Sequence, residues 1–169
     1  MGKRTDFVVA VDESDRTSID GGCAAVLDLL LPFATAATLD GYIGWPDPPP
    51  RVLAVQQRLI EKHGEDGLMS LAFDLSVPED RTDFLALAPW SINAQMADEA
   101  GTVLVSISDG GTSLVGCLTD DEAAQLREGL SERGHPEIEV VPGDEWDARR
   151  RHRKRQERAA ARVTDRLRF

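Results

Sequence analysis

Three polar side chains follow the first apolar run of the chain and could bind a ligand. Asp12, Ser14 and Asp15 come directly after residues 7–11, which have the composition of a buried strand. Carboxylate and hydroxyl oxygens at the end of a strand are typical of metal sites with oxygen ligands and of phosphate sites. One interpretation is therefore a nucleotide- or metal-binding loop, and the other is a solvated acidic loop.

The same segment carries a resemblance to a known family. Residues 9–18, VAVDESDRTS, resemble the first strand and loop of the universal stress protein family, whose opening runs valine, aspartate, any residue, serine. The resemblance implies a parallel sheet and nucleotide binding at this loop. The later part of the family's phosphate loop, Gly-x-x-Gly followed by Gly-Ser, does not occur downstream.

Positive charge is concentrated at the end of the chain. Residues 149–169 hold ten basic and two acidic residues, a net charge of +8, whereas the other residues hold nine basic and 28 acidic ones, a net charge of −19. Such segregation indicates an interaction tail. The residues predicted to bind nucleic acid or another polyanion are Arg149, Arg150, Arg151, Arg153, Lys154, Arg155, Arg158 and Arg162.

Three interpretations of this tail stay open. It binds the phosphates of a nucleic acid, it docks on the acidic body of the same or another copy, or it is a solvated tail without a role. Positive charge surrounds the whole circumference of a helix over residues 149–155, which excludes an amphipathic membrane helix.

A loop rich in glycine and proline carries the second candidate for a partner contact. Tyr42, Ile43 and Trp45 lie in the segment GYIGWPDPPP. Aromatic residues on loops are enriched at interfaces, so Tyr42 and Trp45 are predicted to contact a partner. The alternative is a loop that its aromatic side chains attach to the core.

No pattern in the sequence selects a catalytic group, a metal site or a cofactor. Each of the three histidines is predicted to lie at the surface, and the two cysteines, Cys23 and Cys117, match no metal-binding spacing. Both are expected to be reduced core thiols. The sequence therefore favours a protein that is not an enzyme.

The elements that must position these residues are clearest between Gly101 and Gly134. Alternating apolar residues predict two strands joined at Asp109-Gly110-Gly111 by a two-residue turn. Thr119 and Glu122 predict a capping box at the start of the helix that follows, and Gly134 predicts the end of that helix.

Hydrophobic periodicity, together with glycine, proline and capping residues, predicts the other elements. The first half predicts a strand over 7–11, a helix capped by Asp20 and ended by Pro32, a short helix then a loop over 33–47, and a helix from Pro48-Pro49-Pro50 to Gly64. The second half predicts strands over 68–77 and 84–88 paired through a turn at 78–81, a helix from Ser91 to Gly101, a strand at Ile138 and Val140, and a helix from Asp144.

These elements predict an α+β fold, with a mainly antiparallel sheet, helices packed on it and a long basic C-terminal helix. The predicted division is an acidic domain over 1–143 and an Arg-rich extension over 144–169. No apolar run approaches the roughly 20 residues of a membrane span. The apolar run that follows the first basic residues is too short for a signal peptide, so a cytoplasmic location is expected.

The function expected from these features is that of a bacterial binding or regulatory protein. Its acidic body would meet a basic protein partner, as an immunity-type protein meets a basic toxin, an analogy of charge alone. Its tail would meet nucleic acid, or the body of another copy.

Overall fold

A computed structural model describes the backbone of residues 2–64 and 68–166, and the side chains in those ranges up to Arg155. The described residues form one antiparallel sheet in the order β3-β2-β4-β5-β6-β1-β7. Its strands are β1 (Thr5–Ala10), β2 (Ala36–Gly41), β3 (Leu71–Asp74), β4 (Ser91–Ala97), β5 (Val103–Ser108), β6 (Ser113–Leu118) and β7 (Glu139–Pro142). The helices are α1 (Arg16–Leu30), α2 (Pro50–His63), α3 (Pro78–Leu87), α4 (Asp120–Glu132) and α5 (Gly143–Arg166).

The two faces of the sheet differ in polarity. One row of paired residues crosses β1, β6, β5 and β4, and all of its members are buried: Phe7, Gly116, Val105 and Met96. Buried side chains of α1–α4 join this face in one hydrophobic cluster. A neighbouring row on the other face carries Thr38, Gln95 and Ser106, which are exposed or half-buried. An antiparallel sheet with α1–α4 packed on one face is an α+β fold, as predicted.

The hairpin and its helix are confirmed, except for the turn. Ser108 pairs with Ser113, so four residues and not two connect β5 to β6. Asp109, Gly110 and Gly111 have φ values of 53°, 68° and 89°, the left-handed region that glycine adopts without a steric penalty.

The predicted capping box is present at the start of α4. The Thr119 hydroxyl accepts from the Glu122 backbone N–H at 3.2 Å, and the Glu122 carboxylate accepts from the Thr119 N–H at 2.8 Å. Gly134 has a φ of 85° just after the helix. These signals act over three or four residues, which is why the sequence alone was sufficient to place them.

The first helix begins five residues earlier than predicted. Asp15 is the N-cap, since its carboxylate accepts from the Thr17 N–H at 2.9 Å, and Asp20 lies inside α1. Either aspartate is a good cap by type. The predicted start followed from an apolar stripe that begins at Cys23, with Ile19 interpreted as a residue before the helix, whereas Ile19 lies inside α1.

Three further assignments were wrong. Residues 33–47 contain β2, where Ala37 and Leu39 are buried, and not a short helix. Its alanines have low strand propensity, so the sheet overrides local preference here.

The predicted hairpin over 68–88 does not form. Residues 78–87 are α3, with proline in the first turn and Phe84 and Leu87 on one face, whereas β3 is an edge strand paired with β2.

The segment from Ser91 is β4 and not a helix, because Ala94 and Met96 alternate into the core between β2 and β5.

The last helix carries the start of the basic segment. Its predicted course to about residue 168 includes Arg158 and Arg162, whose side chains lie outside the described residues. Among the described residues, no helix combines the length and apolar character needed to cross a membrane. The sheet is antiparallel, so the parallel sheet implied by the universal stress protein resemblance is absent from the described part of the chain.

Candidate functional site

One end of the sheet collects the two loops that the sequence analysis selected separately. Asp40, Asn93, Ser108 and Ser113 lie opposite one another at this end of β2, β4, β5 and β6. We call it the loop end. The β1–α1 loop, the β2–α2 loop, the turn before β4 and the β5–β6 turn all lie here, so the Asp12 and Trp45 segments share one end of the molecule.

The β1–α1 loop uses its polar side chains in local turns. The Asp12 carboxylate accepts from the Ser14 N–H at 2.9 Å and from the Ser14 hydroxyl at 2.7 Å. Both bonds lower the pKa of Asp12, and the bond from the Ser14 hydroxyl has the larger effect. Asp15 caps α1, and the Asp12 N–H donates to Ser18 Oγ. A ligand at this loop would have to compete with these contacts.

Arg16 joins three elements of the loop end. Its guanidinium donates to the carbonyl oxygens of Gly110 at 2.7 Å and Pro89 at 2.9 Å, and it pairs with Asp20 at 2.5 Å. It also lies 3.7 Å from the centre of the Trp90 ring, a cation–π distance. Sequence reasoning missed this arginine, because its carbonyl partners are 73 and 94 residues away and only the pairing with Asp20 at i+4 was readable.

Trp45 packs on the same hairpin turn. A Cβ atom at Gly110 would lie 2.9 Å from the Trp45 ring, so only glycine allows this approach. Tyr42 meets Trp45 edge to face, with ring centres 5.5 Å apart. Two buried donors, Arg16 Nε and Trp45 Nε1, have no acceptor among the described residues. Trp45 thus attaches the loop to the core, which was the alternative interpretation of this residue.

Beside Trp45, the loop and the first turn of α2 present large apolar side chains to solvent. Tyr42, Ile43 and Leu53 are 46%, 62% and 49% exposed, and we call them the aromatic loop patch. Ile43 and Leu53 line an open groove of about 480 Å³ along α2. The Gln56 amide donates to the Tyr42 carbonyl at 3.0 Å and ties the loop to the helix. Leu53 was overlooked, although its position outside the buried stripe of α2 was a readable signal.

The start of α5 holds the described part of the predicted polyanion site. Arg149 pairs with Glu139 at 2.7 Å and with Glu145 at 2.8 Å, and these bonds raise its pKa. Trp146, which is half-buried, lines a surface cleft of about 180 Å³ with Arg149, Arg150 and Arg153. Arg151, Lys154 and Arg155 are exposed on the same helix. The structure does not bring this segment to the loop end.

The thiols and histidines differ from their predicted positions in two cases. Cys23 is buried, and burial raises the pKa of its thiol to about 12, although the positive charge of Arg16 acts to lower it. Cys117 is only half-buried, and burial raises its pKa too. His135 was expected at the surface but is half-buried over Gly21 of α1. A thiol with such a pKa stays protonated near neutral pH and is a poor nucleophile.

Within the described ranges, no three His, Cys, Asp or Glu side chains are grouped so that they could hold a metal ion. Comparison with protein families, with curated proteins and with solved structures found no match to this chain. The assignment of function therefore depends on the two surfaces described above.

Proposed function

We propose that this chain is a non-enzymatic binding protein whose acidic body binds a basic protein through the aromatic loop patch. The observation that carries the proposal is the exposure of Tyr42 and Ile43 on a loop that is itself held in place, next to the exposed Leu53 of α2, which lines one groove with Ile43. Exposed apolar groups that cluster on a soluble domain mark interaction sites. The Gln56 contact and the Trp45 packing keep this loop ordered before a partner arrives, which lowers the entropy cost of binding.

Charge favours a basic partner. The residues outside the tail carry a net charge of −19, and Asp40 and Asp47 flank Tyr42 and Ile43 along the chain. Complementary charge around an apolar centre raises the association rate and excludes partners of the wrong sign. A small acidic protein that neutralises a basic toxin, in the manner of bacterial immunity proteins, fits this arrangement by analogy of charge. The proposed setting is the bacterial cytoplasm, where free thiols such as Cys23 stay reduced.

A capture experiment with matched variants tests the proposal. Full-length protein on a resin is exposed to lysate of its native cell, beside an Ile43→Ser/Leu53→Ser variant and a Val77→Ser control. Val77 is 42% exposed at the opposite end of the sheet and is the N-cap of α3, where serine is favoured.

The expected result is a basic protein retained by the wild type and the control, lost from the double variant, and released as salt rises. Equal retention by all three proteins, or retention of acidic proteins only, contradicts the proposal. Circular dichroism shows whether the double variant is folded, and since both side chains are exposed we expect no loss of structure.

Two other predictions remain proposals, a ligand-binding loop and a self-associating tail. The alternative ligand loop of Asp12, Ser14 and Asp15 predicts nucleotide or metal binding, which isothermal titration with MgATP measures. The predicted long basic helix over 144–169 would also permit self-association between the tail of one copy and the body of another. Sedimentation at low and high salt tests that arrangement, because an electrostatic dimer dissociates as salt rises.

A further inference from the structure

The first turns of α5 combine an aromatic ring with a set of cations. Trp146, Arg149, Arg150 and Arg153 line one cleft, which we call the Trp146 cleft. Their spacings of three, four and seven residues place them on one face of the helix. We propose that the Trp146 cleft binds single-stranded nucleic acid, with a base stacked on Trp146 and backbone phosphates held by the arginines.

The two kinds of side chain supply different parts of such a site. Guanidinium groups pair with phosphate oxygens in a planar, bidentate geometry. An aromatic ring offers every base a stacking face, so binding does not depend on a particular sequence. Arginine alone would give a general polyanion surface, and Trp146 is what makes the ligand a nucleic acid with accessible bases.

The surroundings of Trp146 favour one direction of approach. Trp146 also lines a second groove, of about 760 Å³, whose lining includes Asp6, Asp120, Asp144 and Asp147. These carboxylates repel phosphate, so a strand is expected to enter from the arginine side. A duplex keeps its bases stacked inside and offers the ring no base face, which is why the proposal commits to single strands.

The ion pairs of Arg149 regulate this site in the free protein. Glu139 and Glu145 already occupy its guanidinium, and both carboxylates are more than half exposed. A phosphate would compete with these carboxylates for the guanidinium of Arg149. Removing Glu139 should therefore tighten binding, by about two- to fivefold for an exposed ion pair.

The experiment uses the full chain and a fluorescent oligothymidylate about 12 nucleotides long, compared with a duplex of the same length. Anisotropy titrations are made at about 50 mM salt. Trp146→Leu keeps an apolar side chain but removes stacking, and we expect it to weaken single-strand binding roughly 5- to 100-fold. Trp146→Phe keeps an aromatic face and should retain most of the affinity, while also showing that the helix tolerates substitution.

Two more variants separate the site from general charge. Glu139→Gln should bind the single strand more tightly, and Arg81→Gln, an exposed arginine on α3, should bind as the wild type does. A general polybasic tail would instead prefer the duplex, whose charge density is higher, and would ignore Trp146→Leu. Either of those results, or no binding at all, overturns the proposal. None of these variants lies in the aromatic loop patch, so the partner-capture result stands or fails separately.

Discussion

Gly111 should tolerate no other residue, because two separate effects act against a side chain there. Its φ of 89° is left-handed, which costs other residues about 1–2 kcal/mol. A Cβ atom would also lie 2.6 Å from Ile19 Cγ2, 3.1 Å from Cys23 Sγ and 3.3 Å from the Pro89 carbonyl oxygen. Overpacking of this kind costs about 1–3 kcal/mol. Gly111→Ala is therefore expected to lower the free energy of unfolding by about 2–5 kcal/mol.

Gly134 provides the matched control for this substitution. It has a similar φ of 85°, but a Cβ atom built there has no neighbour within 4 Å among the described residues. Gly134→Ala should therefore show the backbone cost alone, about 1–2 kcal/mol. The difference between the two variants isolates the steric part of the effect.

Urea unfolding followed by circular dichroism measures both free energies, and thermal melts provide a second readout. For a chain of this size each kcal/mol corresponds to about 2–4 °C in Tm, so Gly111→Ala should melt about 4–20 °C below the wild type. Equal losses at Gly111 and Gly134, or a Gly111→Ala protein as stable as the wild type, would show that the packing at the hairpin turn is wrongly described.

Three other perturbations test separate contacts. Thr119→Ala removes the cap acceptor of α4 and should cost about 1 kcal/mol in urea unfolding, while Thr102→Ala, at an exposed residue just before β5, should stay within about 0.5 kcal/mol of the wild type. Arg16→Lys cannot keep both carbonyl contacts and the stacking on tryptophan, so it should lose about 1–3 kcal/mol. Arg133→Lys is the control, because Arg133 is exposed and pairs with one carboxylate, so the free energy of unfolding should change little. Cys23 should resist thiol reagents at pH 8 until urea unfolds the protein. Because its folded pKa lies above the unfolded value, its contribution to stability is complete at low pH and declines as pH rises above about 9, which unfolding at several pH values detects. Rapid labelling of the folded protein would contradict this.

The parts of the fold that sequence reasoning identified are those with local causes. The β5–β6 hairpin and α4 depend on Gly110, on the Thr119–Glu122 box and on Gly134, all within a few residues of the structure they produce. The prediction for β4 was wrong because Ile92, Met96 and Ala100 have the four-residue spacing of a helical face, whereas Ala94 and Met96 alternate as in a strand. Only the neighbouring strands, which pair over longer distances, decide between them.

The candidate site follows the same division. Tyr42 and Trp45 were found by residue type on a loop, but their separate roles were not, since Trp45 is placed by the distant Gly110. Arg16 left a local signal only in its pairing with Asp20. The sequence analysis did not group Trp146 with the arginines, because it considered the basic run alone and Trp146 lies just before that run.

The central claim is that the aromatic loop patch meets a basic protein, and site-directed photo-crosslinking in the native cell tests it most directly. A photoreactive phenylalanine analogue replaces Ile43 in one protein and Val77 in a second, and covalent products are identified by mass spectrometry. The proposal predicts one dominant product at position 43, a protein of basic isoelectric point, that is absent at position 77. The same products at both positions, or an acidic protein crosslinked at position 43, would contradict it.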